Sequence, residues 1–141
     1  MKSRVVLLCS AFIALCSLGV AQKSNVVTVP APRTPATSGK KMYLAYCATC
    51  HGKEGKGDGP VAEVLKVPPP DLTTLSKRNN GKFPWAQVVN TITGPTGAPP
   101  HGSKEMPVWG PIFMTMEHQH ESGARLRVAN LADYIKSMQQ K

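Results

Sequence analysis

The chain has 141 residues, with 17 Lys and Arg against 8 Asp and Glu, and a formal net charge of +9. That length allows one modest domain, and with 6% aromatic residues against 13 prolines and 12 glycines its apolar side chains alone make a thin core. Only four cysteines are present, and the two beyond the first segment, Cys47 and Cys50, lie within four residues of each other, whereas a disulfide framework normally uses more of them spread along the chain.

The first segment reads as an export signal. Lys2 and Arg4 precede the apolar run VVLLCSAFIALCSLGVA, and the small residues Gly19 and Ala21 suit cleavage between Ala21 and Gln22. The run is at the short edge for a membrane span, so a retained N-terminal anchor is the alternative. Leu15 is bulkier than the residue expected before a lipidated cysteine at Cys16. Removing residues 1–21 takes away Cys9, Cys16, Lys2 and Arg4, so the net charge falls from +9 to +7. Residues 22–37 carry prolines and few large apolar groups. They cannot bury enough surface to offset ordering and read as a flexible linker, with the domain spanning 38–141.

At the domain's start, Thr37 or Ser38 can cap a short helix. Gly39, Tyr43 and Cys47 recur every four residues and share one face of it, and Gly52 ends it. From Lys53 to Asn80 glycine and proline are too dense for long elements. VAEVLK allows one or two helical turns, and VPPPDL runs extended because each proline restricts its predecessor. FPWAQVVNTITG reads as a helix, with Pro84 suited to its first turn and Gly94 to its stop. Residues 95–111 read as loop. In ESGARLRVANLADYIKSMQQK, Ala124, Val128, Leu131, Ile135 and Met138 form one apolar stripe. Arg125, Arg127, Asp133 and Lys136 fall mostly off it, and Lys136 and Lys141 suit the helix dipole. No alternating strand pattern occurs, so the domain is expected to be all-α with long loops.

Cys47-Ala48-Thr49-Cys50-His51 is the attachment pattern for c-type haem. Cysteines three apart on a helical turn point to one side, within reach of two vinyl groups on one porphyrin edge, and the next residue falls under the ring to bind iron. A structural zinc site needs four ligands, and the mature chain has no second cysteine pair. A redox dithiol of the thioredoxin kind wants a βαβ context, and a plain disulfide leaves His51 without a role. One covalently attached haem c also supplies the missing apolar bulk, so the chain without it is expected to fold poorly.

Iron held by one histidine has a second axial position. The candidates are Met42, Met106, Met114, Met116, Met138, His101, His118 and His120. Met42 is in the attachment helix, and Met138 belongs to the apolar stripe. Met106 lies in the loop HGSKEMPVWGPIF, 55 residues beyond His51, with Pro107 fixing the backbone after it. It is the expected distal ligand, with His101 as the runner-up. The run MTMEHQH places Met114, Met116, His118 and His120 at alternate positions. An extended chain would align all four as for copper, whereas a helix would spread them; the plainer reading is a loop into the last helix with exposed histidines.

With these motifs on the page, the stretch from Ser38 to Gln139 resembles the class I, monohaem cytochrome c family. The resemblance rests on Gly39 and Tyr43 before CATCH, GKGDGP after it, PPPDLT, MPVWG and LADYIKSM. It implies a fold of a few short helices and long loops wrapped around one covalently bound haem. Cys47 and Cys50 are then the thioether cysteines, with His51 the proximal and Met106 the distal ligand. Gly39 and Tyr43 cross the last helix near Leu131 and Tyr134. The carbonyl of Pro69 or Pro70 accepts the proton of the histidine's other ring nitrogen, and Trp109 resembles the aromatic residue near a haem propionate.

An iron with both axial positions filled leaves one-electron exchange as its available act. The expected function is therefore an electron carrier secreted to the periplasm. The alternatives are the haem-bearing subunit of a larger periplasmic oxidoreductase and a haem-based gas or redox sensor. Independent catalysis of the dihaem-peroxidase kind would need a second attachment motif. Lys53, Lys56, Lys66 and Lys104 flank the expected haem edge, which favours redox partners with acidic docking surfaces over nucleic acid.

Overall fold

The computed structural model describes residues 30–94 and 106–140. The chain divides into two compact units, and the second, Ala31–Lys141, carries the fold. The segment expected to be an export signal, His101 and Lys104 lie outside the described residues.

The described residues are helical and contain no strand, as an all-α fold requires. Ser38 caps α1 (Gly39–Tyr46), its side chain accepting from Lys41 N. A break at Cys47 separates α1 from the single turn α2 (Ala48–His51), which Gly52 closes with a φ of 79°. VAEVLK contributes a 3-10 turn, Ala62–Val64, and Asp71 caps a second, Leu72–Thr74, by accepting from Thr73 N. Then follow α3 (Leu75–Arg78) and α4 (Trp85–Thr93), the latter bounded by Pro84 and Gly94 as its sequence predicts.

The stretch expected to be loop up to Pro111 instead contains the start of a helix, α5 (Trp109–Met116). Pro111 had marked the region as loop, but it stands in the helix's first turn, where an amide N–H has no partner to lose. His118 and Gln119 take positive φ values of 51° and 67° and turn the chain into α6 (Glu121–Ser137).

The long helix α6 packs against α1, α4 and α5. Its stripe of Ala124, Val128, Leu131 and Ile135 is buried as expected, while Met138 is the half-buried C-cap. The largest fully buried side chains are Tyr43, Phe113, Met42 and Leu131, all at the junctions of α1 and α5 with α6. Tyr43 meets Tyr134 with ring centroids 5.4 Å apart. That is the crossing the family resemblance implied.

Arg127 departs from the reading that set it off the stripe. It is buried, pairs with Glu117, and lies over the Phe113 ring at 5.9 Å. The unit also begins earlier than Ser38, because Pro32, Thr34 and Ala36 of the expected linker all accept hydrogen bonds from helical side chains.

Candidate functional site

The attachment pentapeptide is held in a short, bent segment. Cys47 N donates to Tyr43 O at 2.9 Å and His51 N to Cys47 O at 2.8 Å, so the helical turn resumes directly after the break. The chain then doubles back: Gly57 N donates to His51 O at 2.8 Å and Leu72 N to Gly55 O at 2.7 Å. Gly57 has a φ of +82°, and a Cβ there would strike Pro69 O, so only glycine lets the two loops approach. This contact brings VPPPDL across the face of His51.

Two adjoining cavities follow. One, with about 570 Å³ of empty space, is lined by Tyr46, Cys47, Cys50, His51, the 65–70 loop, Met106, Pro107 and Trp109. The other, of about 790 Å³, lies among α4, Leu72, Leu75, Arg78 and Ile135. Both are lined by Cys47, His51, Pro70 and Met106. Their walls are mainly apolar, as a porphyrin requires.

The donor set fits haem c as well. Cys47 and Cys50 are not joined to each other. Burial, reinforced by Cys50, pushes the Cys47 thiol up to about 12, and burial raises Cys50 too. An exchange dithiol needs the opposite, a depressed thiol pKa, whereas these sulfurs suit neutral thioethers. His51 is buried, with Nδ1 3.4 Å from Pro70 O. A carbonyl only accepts, so Nδ1 carries the proton and Nε2 is the nitrogen assigned to a metal. Of the two prolines considered for this role, Pro70 is the partner.

Met106 is half-buried and reaches both cavities, unlike the other candidates among the described residues; His101 lies outside them. Met42 is fully buried beneath α6. Met114 and Met116 ride on α5 and face different neighbours, since Met116 Sδ lies 3.7 Å from Tyr46 Oη while Met114 borders a groove beside Trp85 and Val128. The alternate spacing of MTMEHQH therefore does not align its donors. Among the described residues no group of three or more His, Cys, Asp or Glu stands close enough to hold a metal ion.

Trp109 lines the first cavity, and its ring meets Tyr46 at a tilt with centroids 4.7 Å apart and stacks on Phe113 at 5.6 Å. Among the lining residues missed from the sequence are Tyr46 and Arg78. Tyr46 was the unremarked neighbour of Cys47. Arg78 brings a cation to the second cavity, with Nη2 donating to Asp71 O at 2.6 Å; a charged residue in a loop-rich stretch gave no signal of it.

The family model for cytochrome c matches residues 36–139. No curated protein and no solved structure matches the chain. Because the matched span takes in most of the chain and every residue of both cavities, the chain belongs to the cytochrome c family.

Proposed function

We propose that this haem-based electron-transfer protein is an exported monohaem cytochrome that carries single electrons between redox proteins, with His51 and Met106 as its axial ligands. The observation that carries the reading is that these two side chains both line both cavities, together with Cys47. Haem c, attached through Cys47 and Cys50, supplies a one-electron couple when bound.

The chain's own residues do the rest. Pro70 O orients the imidazole of His51 and raises its basicity. The thioether of Met106 is a weak donor that favours ferrous iron, which sets the potential above that of a bis-histidine site. The apolar walls from Leu65 to Pro70 and from Leu72 to Ile92 exclude water and so limit reorganisation around the site. Export is supported by the N-terminal pattern of Lys2, Arg4 and the apolar run, and the periplasm is the compartment proposed.

The partners proposed are redox proteins with acidic docking surfaces. Lys53, Lys56 and Lys66 are exposed, Lys66 standing between Leu65 and Val67 of the first cavity's lining, where Val67 is exposed as well. Dispersed lysines steer an encounter, and the apolar Val67 gives it a dry centre. The test of ligation is Met106→Ala in the holo protein. The methionine–iron charge-transfer band of the oxidised form disappears and the reduction potential falls; retention of both would reject Met106.

A further inference from the structure

Resting on the haem reading above, we infer that residues 31–36 are a strap that holds Tyr46 in the cavity wall, so that the segment upstream of α1 tunes the haem site. The strap is bound by a directional chain of hydrogen bonds. Arg127 Nη1 donates to Thr34 O at 2.8 Å and to Thr34 Oγ1 at 3.3 Å. Tyr46 Oη donates to Pro32 O at 2.7 Å, so the 2.7 Å contact between Thr34 Oγ1 and Tyr46 Oη has Thr34 as donor. Asn130 Nδ2 closes the far end on Ala36 O at 2.9 Å.

Tyr46 is thereby satisfied as donor and acceptor by residues upstream of α1. This matters at the site because the Tyr46 ring lies against Trp109, and both line the cavity that Met106 enters. Trp109 opens α5 three residues after Met106. A Tyr46 ring freed to shift removes the support under Trp109 and under the chain that presents Met106. The burial of Arg127, with its guanidinium also paired to Glu117, fixes the anchor rather than leaving it to solvent. A flexible tether would need none of these partners.

The test uses the full-length holo protein and Thr34→Val, which keeps the shape and removes the hydroxyl that links Arg127 to Tyr46. Imidazole is titrated into the ferric form, where it competes with the distal ligand, and the reduction potential is measured alongside. Loss of one such bond corresponds to about a fivefold change in equilibrium, so Thr34→Val binds imidazole about fivefold more tightly and shows a lower potential. Thr34→Ser restores both. A protein lacking residues 22–36 behind the same signal gives the same direction of change. Unchanged imidazole affinity and potential in Thr34→Val, even with a lower melting temperature, would overturn the inference and reduce the strap to a structural brace. A protein whose pigment washes out in acidified solvent would overturn the haem reading and this one with it, whereas retained pigment with unchanged ligand binding overturns only this one.

Discussion

Gly39→Ala sets two effects of opposite sign against each other. In an exposed helix alanine is favoured over glycine by up to about 1 kcal/mol, and Gly39 is the first residue of α1. Yet a Cβ at this position would strike Asn130 O and lie 2.8 Å from Tyr134 Cβ and 2.9 Å from Asn130 C. These are backbone and Cβ atoms of α6, which cannot turn aside as a flexible side chain would. Overpacking typically costs about 1–3 kcal/mol, and a collision with backbone belongs at the upper end. The net loss is about 2 kcal/mol, which for a domain of this size lowers the melting temperature by roughly 9 °C. The assay is thermal unfolding of the holo protein followed by circular dichroism. A Gly39→Ala variant that melts at or above the wild-type temperature would show that helix propensity wins and that α1 and α6 are not in limiting contact.

Two further outcomes are expected. Tyr43 is fully buried and donates to Gly52 O at 2.8 Å, and burial first, then nearby negative groups, holds its ionisation well above the ordinary phenol range. The unfolded chain ionises near pH 10 while the folded one does not, so the stability Tyr43 contributes is complete below that pH and declines above it, by up to about 1.4 kcal/mol per pH unit. Tyr43→Phe is therefore about 1 kcal/mol less stable than wild type at pH 7, and the gap closes and reverses in alkali; urea titrations at pH 7 and pH 11 read this directly, and a gap independent of pH would contradict it. Gly57→Ala forces a side chain into Pro69 O and draws Pro70 O away from His51 Nδ1. A less basic imidazole donates less to iron, so a redox titration finds a higher potential, and an unchanged or lower value would remove Pro70 from the tuning of the site.

Much of this was legible because it is written in local pattern. CATCH depends on the spacing of three residues, and the stripe from Ala124 to Ile135 depends on helical period, so both survive into the structure. The helix Trp85–Thr93 was bracketed by Pro84 and Gly94, residues that act on their own backbone. What escaped depends on partners distant in sequence. Arg127 has the look of a surface charge until Glu117 and the carbonyl of Thr34 are brought beside it. A proline-rich segment reads as linker because its own side chains bury little, and nothing local says that its carbonyls are met by Tyr46, Arg127 and Asn130. The start of α5 was hidden differently, since Pro111 is tolerated in a first turn but signals a break when read alone.

The thin core anticipated from composition turns out to be divided rather than merely small. Met42, Tyr43, Phe113 and Leu131 fill the junctions of α1, α5 and α6 without help from a cofactor. On the other side of Cys47 and His51, the 65–70 loop and α4 face the two apolar cavities. The first region is close-packed, so it resists displacement and fixes where α1 ends. The second consists of loop and half-buried helix, whose apolar surfaces need the porphyrin to complete their packing. The attachment motif sits at the border between them, with Cys47, Ala48 and His51 buried. A cofactor joined at that border is rigidly referenced to the helical junction on one side while its loops close over it from the other. That arrangement is what electron exchange requires, because it holds the metal and its ligands nearly still as the charge changes.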